Sequence, residues 1–276
     1  MRRVDLPEIE DWQGCPTWVR DAMTGYLQAV IEVSRPYGAV TGQLAALLRE
    51  SRTTSVVDLA SGGGGPWPFL LDALRREGVE AQVTLTDLKP NLRAAEELEG
   101  ATAVTYRREP VSALDVPSSL TGVRTMFTGL HHFDRQDLST ILREAQEARV
   151  PFLAAEATHR SPRGIMVTFL IPVLVLLLMP RVRPRRAVPL ALTYLPPVLP
   201  LLIWWDGLAS TLKTYQAEEL ESLVSEIREP GYDWSVQEIT VPKAPIPITL
   251  LVGRPAGPTD TASSQAPVRD FPDAGS

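Results

Sequence analysis

The sequence has 276 residues, of which 44% are hydrophobic and 22% charged, a composition typical of a globular protein with a buried core. Its formal net charge of −6 argues against a nucleic-acid partner, because neutralising phosphates requires a concentrated basic surface. A single cysteine excludes a disulfide framework and a cysteine-based zinc site, and with only three histidines we predict no bound metal. The N-terminus carries two arginines but no apolar run, so we expect a cytoplasmic location.

Residues 1–50 are predicted to form an N-terminal helical extension. Residues 16–33 begin with a proline suited to a first helical turn, and they place apolar side chains such as Met23 and Leu27 at near-helical spacing. Residues 39–50 predict a second, shorter helix.

Strand and helix signals alternate after this extension. The predicted strands cover residues 56–59, 81–88, 123–130 and 150–157, and the predicted helices cover residues 68–76, 90–100 and 135–148. Such alternation predicts an α/β fold with a mostly parallel sheet and helices on both faces.

The C-terminal part resumes the alternation with a helix at 215–230. Two strands follow, at 232–242 and 247–255, and we predict that they pair. The main domain is therefore predicted to cover residues 51–255. Residues 256–276 are rich in Pro, Ala, Ser, Gly and Asp and cannot bury enough apolar surface to order themselves, so they predict a disordered tail.

The segment "VVDLASGGGG" places a glycine-rich turn directly after the first predicted strand. Such a turn brings backbone N–H groups close to a ligand, and glycine is needed where a Cβ would block the approach or where φ is positive. No lysine follows the glycines, which excludes the phosphate loop of nucleoside triphosphatases. The dinucleotide fingerprint requires a glycine where Trp67 stands, so that interpretation is disfavoured.

The same segment resembles the first motif of class I S-adenosylmethionine-dependent methyltransferases, an acid followed by alternating glycines. Asp58, Gly62 and Gly64 fall in register, and Ala60 replaces the first glycine of the motif. The resemblance covers roughly residues 50–160 and 215–255. It implies a Rossmann-like sheet with a closing antiparallel strand pair, and S-adenosylmethionine as the cofactor.

The resemblance also implies which residues hold the cofactor. Asp87, at the end of the second strand, would accept the ribose hydroxyls, and Ser112–Ala113 would lie beside the adenine. The complete set of implied cofactor-binding residues is Asp58, Ala60, Ser61, Gly62, Gly64, Asp87, Leu88, Ser112, Ala113 and Leu130. Two alternatives stay open, namely a glycine turn without a ligand and Asp87 as the N-cap of the next helix.

Catalytic candidates follow the fourth and fifth strands. Methyl transfer relies mainly on proximity and orientation, and a general base is needed only when the acceptor proton is weakly acidic. His131 and His132 follow the fourth strand and could serve as that base near neutral pH, or could instead pack against or cap the next helix. Glu156, after the fifth strand, and Tyr215 are the remaining candidates.

Residues 164–205 form an apolar insertion that flanks the basic run "RVRPRR". Each apolar half approaches the roughly 20 residues that span a bilayer, yet both contain prolines. A spanning hairpin would put the arginines on the side opposite a cytoplasmic core, against the positive-inside rule. The other interpretations are a peripheral membrane anchor, a cap over a hydrophobic substrate, and a core helix pair or homodimer interface.

We therefore predict an S-adenosylmethionine-dependent methyltransferase that acts on a hydrophobic small molecule such as an isoprenoid, quinone or polyketide. The predicted location is cytoplasmic, with peripheral contact at the inner face of the membrane. The alternatives are a relative that uses the same fold for a non-methylating reaction such as isoprenoid cyclisation, and a non-catalytic membrane-associated scaffold.

Overall fold

A computed structural model describes residues 1–12, 14–98, 103–182, 187–242 and 244–256. The predicted helix closure at Gly100, most of the basic run and nearly all of the predicted tail lie outside these residues. Within them, the chain forms a seven-stranded sheet in the order β3-β2-β1-β4-β5-β7-β6. Its strands are β1 (Ser55–Asp58), β2 (Gln82–Leu85), β3 (Val104–Tyr106), β4 (Val123–Phe127), β5 (Phe152–Glu156), β6 (Tyr232–Ile239) and β7 (Ile248–Pro255).

The first five strands run parallel, and β7 pairs antiparallel with both β5 and β6. This arrangement confirms the predicted mostly parallel sheet with a closing antiparallel pair. The helices around it are α1 (Thr17–Ser34), α2 (Thr41–Glu50), α3 (Trp67–Arg76), α4 (Leu92–Glu97), α5 (Arg135–Glu147), α6 (Pro162–Thr168), α7 (Ile171–Leu178), α8 (Ala187–Tyr194), α9 (Val198–Lys213) and α10 (Ala217–Glu226).

Two apolar cores lie on opposite faces of the sheet, because successive side chains of a strand point to opposite sides. Val56 belongs to the core formed with α2 and α3, whereas its neighbour Val57 belongs to the core formed with α5 and α10. Leu153 and Ala154 of β5 divide in the same way. Helices therefore cover both faces, as the alternation of strands and helices predicts.

Several predicted elements have different limits in the structure, and two of these differences affect the candidate site. The strand predicted through Leu130 ends at Phe127, because Thr128 adopts a φ of +48° and the chain then forms a short 3-10 helix, Leu130–His132. The last helix of the insertion continues past Trp205 to Lys213, since Gly207 alone does not end a helix.

The insertion packs one side of its helices against α1. Val175 and Ile203 are buried in a cluster with Met23 and Tyr26 of α1. Of the described helical stretches, Pro162–Arg181 is long and apolar enough to cross a membrane, with 20 residues, a mean hydropathy of 2.1 and 28% burial. The helices α8 and α9 meet the same criterion only if their 84° bend is counted within one broken span.

The burial of one side of α9, in a cluster shared with α1 and α7, predicts unequal costs for two neighbouring truncations. Ile203→Ala empties a buried position and should lower the free energy of unfolding by about 3 kcal/mol. Leu201→Ala removes a side chain that is 59% exposed and should change it by less than about 0.5 kcal/mol. Urea unfolding of both variants measures the difference, and equal costs would contradict this orientation of α9.

Candidate active site

The glycine turn lies at the carboxyl end of β1. Gly62 and Gly64 adopt φ values of +51° and +100°, a region that glycine enters without the steric penalty of a side chain. A Cβ at Gly62 would meet no atom within 4 Å, so the space above this residue is open to a ligand. A Cβ at Gly63 would lie 2.7 Å from the Thr24 side chain, so the turn closes tightly against α1. Ala60 has a φ of +52° and carries the strain that a glycine would avoid.

Asp87 lies beside the turn, where the resemblance to methyltransferases places it. Its Oδ2 accepts a hydrogen bond from the Gly62 backbone N–H at 2.9 Å, and its Oδ1 accepts one from Lys89 at 2.8 Å. Each carboxylate oxygen keeps a further lone pair for a ligand hydroxyl. Asn91, not Asp87, caps α4, since its side chain accepts from Ala94 N at 3.0 Å. The N-cap alternative for Asp87 is therefore wrong.

Tyr106 fixes the turn from the other side and was missed by sequence reasoning. Its hydroxyl donates to the Gly62 carbonyl oxygen at 2.9 Å and accepts from Asn91 N at 3.2 Å. No local pattern connects Tyr106 with a turn 44 residues earlier. The parallel pairing of β2 with β3 brings them together.

Asp58 lies beneath the turn with its carboxylate buried. Thr125 of β4 donates to its Oδ1 at 2.5 Å. Burial raises the pKa of Asp58 to about 7, although hydrogen bonds from Thr125 and neighbouring side chains act in the opposite direction. Ser61, the next polar residue, donates to the Asp58 carbonyl oxygen and is also buried. Both residues shape the turn from below, and a direct cofactor contact for either stays a prediction.

The other implied cofactor residues occupy different environments. Val111 N donates to the Asp87 carbonyl oxygen at 2.9 Å, which places Ser112 and Ala113 next to the Asp87 segment. Leu88 is exposed at the rim, whereas Leu130 is fully buried in the core against α5. Cofactor contact for these residues stays a prediction.

A polar cavity of ≈ 250 Å³ lies between α1 and α4, beside Gly63. Asp21 and Glu32 of α1 and Arg93 of α4 contribute to its wall. Charged walls of this kind do not suit an apolar acceptor.

His131 and Glu156 form a buried pair between the ends of β4 and β5. The imidazole Nδ1 lies 2.9 Å from Glu156 Oε2, and Glu156 Oε1 accepts from Leu130 N at 2.7 Å. Burial alone would raise the pKa of Glu156, but the charge interaction and the hydrogen bonds with His131 and Leu130 hold it below its usual value. An ionised Glu156 therefore orients the His131 ring.

His132 stacks on His131, with ring centroids 4.3 Å apart, but its partners are different. Its Nδ1 lies 3.4 Å from Asp11 Oδ2 and 3.9 Å from Glu8 Oε2. Burial would lower the pKa of His132, yet the hydrogen bond with Asp11 and the nearby carboxylates raise it to about 9. His132 is therefore protonated at neutral pH, which leaves His131 as the candidate base. Neither histidine caps α5, because Asp134 does so.

Residues 1–12, which we name the N-terminal strap, cross the histidine pair and α9. Ile9 N and Glu10 N donate to the two carboxylate oxygens of Asp206, at 2.8 and 3.0 Å. Arg3 donates to the carbonyl oxygens of His131 and Lys213. This segment has no periodic pattern in the sequence, so the strap was missed by sequence reasoning.

Lys213 and Tyr215 secure the strap at the end of α9. Lys213 Nζ lies 3.1 Å from Glu8 Oε1, and both side chains are buried. The Arg3 guanidinium lies 4.4 Å above the Tyr215 ring, whose hydroxyl donates to the Phe133 carbonyl oxygen at 3.0 Å. Tyr215 therefore supports the strap and the 3-10 helix, and a catalytic role for its hydroxyl stays a prediction. Burial raises its pKa, which also disfavours ionisation.

Glu8, His131 and His132 could hold a metal ion by distance, since one ligand atom of each lies within 4.8 Å of the others. The Lys213 ammonium already balances the Glu8 carboxylate, however, and Glu156 occupies Nδ1 of His131. The third histidine, His159, lies elsewhere and pairs with Glu238 of β6.

The strand order, the antiparallel β7 and the position of the glycine turn together decide the fold. The chain has the class I methyltransferase fold. No protein-family model matches the sequence, and no curated protein matches it.

Solved structures resemble it at low identity. The mitomycin 7-O-methyltransferase MmcR is 18% identical with a TM-score of 0.46, over 80% of this chain and 54% of its own. An O-methyltransferase family protein from Burkholderia thailandensis is 19% identical with a TM-score of 0.49, over 88% and 61%. The O-methyltransferase NcsB1 from neocarzinostatin biosynthesis, bound to S-adenosylmethionine and 2-hydroxy-5-methyl naphthoic acid, is 18% identical with a TM-score of 0.49, over 84% and 56%. The chain thus spans little more than half the length of these proteins.

The environment of His132 predicts a pH-dependent hold on the strap. Its pKa of about 9 exceeds the ordinary 6.5, so its stabilising charge is complete below the ordinary value and is lost as the pH rises through 9. His132 and Asp11 are both partly exposed, so solvent screens their interaction, and from about pH 8 to about pH 10 the free energy of unfolding should fall by at most about 1 kcal/mol more in the parent protein than in His132→Gln. Urea unfolding of both proteins across this range measures the difference.

This range isolates His132 from the other groups that face it. The pKa of Glu10 is raised by burial to about 7, so Glu10 has already titrated. Glu8 and Asp11 of the strap, Lys213 of α9 and the stacked His131 are common to both proteins. Buried tyrosines also titrate equally in both. Parallel pH profiles for the two proteins would show that the His132 charge does not hold the strap.

Proposed function

We propose that this protein is an S-adenosylmethionine-dependent methyltransferase that acts on a hydrophobic small molecule. One observation carries the proposal: the open glycine turn after β1 is hydrogen-bonded directly to Asp87 after β2. Ligands of open α/β sheets bind at the carboxyl ends of the strands, where both features lie.

The residues at this edge fit the cofactor. The missing side chain at Gly62 leaves space next to the backbone, and Asp87 offers unused lone pairs to a pair of ribose hydroxyls. The methyl donor has no phosphates, which agrees with a turn that has no lysine after its glycines. When bound, the cofactor supplies a methyl group activated by a positively charged sulfur. Ser112 and Ala113 would adjoin its adenine.

The His131–Glu156 pair would accept the acceptor's proton. With its Nδ1 proton donated to Glu156, the His131 ring has Nε2 as its hydrogen-bond acceptor. An ionised carboxylate behind the ring stabilises the imidazolium that forms. The His132 cation next to it would favour a negatively charged acceptor oxygen. In this proposal His131 removes the proton and the His132 cation stabilises the negative charge that develops on the acceptor.

The apolar insertion supports a hydrophobic acceptor, such as an isoprenoid, quinone or polyketide. Its helix α9 begins among apolar side chains and ends at Lys213, next to the histidine pair. We also propose a cytoplasmic location with peripheral contact at the inner membrane face.

Binding of S-adenosylhomocysteine tests the cofactor assignment. Calorimetric titration of the parent protein should give micromolar affinity, and Asp87→Ala should weaken it roughly tenfold or more, because a charged hydrogen-bond acceptor is lost. Asp72→Ala, which removes an exposed acid from α3, is the matched control and should bind like the parent. A folded parent protein that binds no S-adenosylhomocysteine would overturn the proposed function.

Replacement of His131 tests the proposed base. With a panel of phenolic, quinol and isoprenoid acceptors, His131→Gln should lower kcat by about a hundredfold or more, with cofactor affinity unchanged. His159→Gln should retain activity, because its partner is Glu238 outside the site. Release of S-adenosylhomocysteine and the mass of the product are the measurements. Full activity of a folded His131→Gln would mean that proximity alone drives the transfer.

A further inference from the structure

Exposed apolar side chains concentrate on the insertion. Thirteen of the twenty large hydrophobic side chains that are exposed in the described residues lie between Met166 and Trp205. Soluble monomers rarely leave an apolar patch of this extent uncovered. We name this surface the apolar face, and its most exposed members include Phe169, Leu170, Val173, Leu177, Leu195 and Leu201.

The apolar face is one side of a layer that is anchored on the other side. Val175, Leu199 and Ile203 of the insertion pack against α1. At the far end of α9, Asp206 binds the strap backbone and Lys213 pairs with Glu8. A bilayer-spanning arrangement would have to remove these helices from α1 and break the charged contacts. The geometry therefore favours a layer that lies flat, with a single face turned outward.

The charge of this segment is opposite to that of the whole chain. Residues 164–205 contain four arginines and neither aspartate nor glutamate, whereas the chain has a formal net charge of −6. Arg181 follows the apolar helix α7 directly, and the other three arginines follow it in the sequence. A segment whose sequence is apolar and carries arginines but no acids has the composition of one that lies on a bilayer surface with anionic head groups.

A second copy of the chain fits this surface less well. In an isologous dimer the same segment of both copies would meet, because each copy contributes the same patch. Each copy would bring a segment with four arginines and no acid, so neither segment would supply the negative charge that the other lacks. Anionic lipid supplies the missing negative charge without a second protein.

We propose that the apolar face docks on an anionic phospholipid bilayer and lies in its interfacial layer without spanning it. This proposal rests on the proposed function for its purpose, which is to take a hydrophobic acceptor directly from the bilayer. The helix α9 connects the two places, since Leu201 belongs to the apolar face and Lys213 adjoins the histidine pair. Twelve residues of helix separate them, a length of about 18 Å.

Vesicle flotation of the full chain tests the docking. The protein should float with vesicles of phosphatidylcholine and phosphatidylglycerol, and at least roughly tenfold less with phosphatidylcholine alone, since the arginines then lose their partners. The double variant Leu177→Asp/Leu201→Asp should lose the same binding, because it puts charge into the interfacial layer. Val33→Asp on α1, also a change at an exposed apolar side chain, is the matched control and should bind like the parent.

Three results would overturn the docking. The first is equal flotation of the double variant and the parent. The second is protein that resists alkaline carbonate extraction, which would indicate a spanning segment. The third is a parent dimer in sedimentation equilibrium that the double variant dissociates, with no flotation of either, which would assign the face to a second copy. Titration of the same preparations with S-adenosylhomocysteine keeps the two proposals separate, since cofactor binding without flotation would leave the proposed function intact.

Discussion

A carboxylate buried away from water needs a compensating positive charge. Glu8 is such a carboxylate, and this requirement determines which groups surround it near the histidine pair. Its carboxylate is almost fully enclosed, with Lys213 Nζ at 3.1 Å and His132 at 3.9 Å. Glu8 belongs to the strap, Lys213 to α9 and His132 to the 3-10 helix after β4. One buried cluster of charges therefore holds together three segments that are far apart in the sequence. Removing any one partner would leave another charge buried without compensation, which costs more than the intact pair contributes.

The cluster contains more acids than bases, and its proton affinities follow from this excess. Asp206 has a pKa raised to about 6, mainly by burial, although two backbone N–H groups of the strap act in the opposite direction. The pKa of Glu10 is raised to about 7 for the same main reason. The opposite charge, on His132, is stabilised by Asp11, Glu8 and Glu10. Protons on His132, Glu10 and Asp206 thus offset the negative charge that Lys213 alone does not balance. The different roles proposed for His131 and His132 follow from this excess of negative charge.

Local sequence patterns predicted the sheet and the position of the glycine turn, because both depend on neighbouring residues. Each strand or helix signal depends on only a few consecutive residues, and the glycine run lies directly between β1 and α3. The same patterns could not separate the two acids, Asp58 and Asp87, by environment. Asp58 ends β1 and Asp87 follows β2, yet only the pairing of β1 with β4 shows that the Asp58 carboxylate meets Thr125.

The strap could not be predicted in this way. Residues 1–12 have no helical or strand period, and the partner of Ile9 is Asp206, almost two hundred residues later. The continuation of α9 past Trp205, in contrast, could have been predicted from the sequence. Between Trp205 and Lys213 only Gly207 disfavours a helix, and a single glycine costs about 1 kcal/mol without ending one. Recognising that continuation would have placed Asp206 and Lys213 on one helix before any contact was known.

The composition of α9 combines two features that a helix with a packing role alone would not need. A helix that only covers α1 needs one apolar stripe, and the buried Leu199 and Ile203 provide it. Leu201 lies between them in the sequence and is mostly exposed, although a polar side chain there would cost nothing in packing. Beyond Trp205 the same helix changes character and buries Asp206 and Lys213, each matched to a group of the strap. A helix that is apolar on both sides at one end and buries paired charges at the other is suited to joining an apolar phase to a polar site. This dual character explains why the insertion is long and apolar and is still attached to the strap and to the segment after β4.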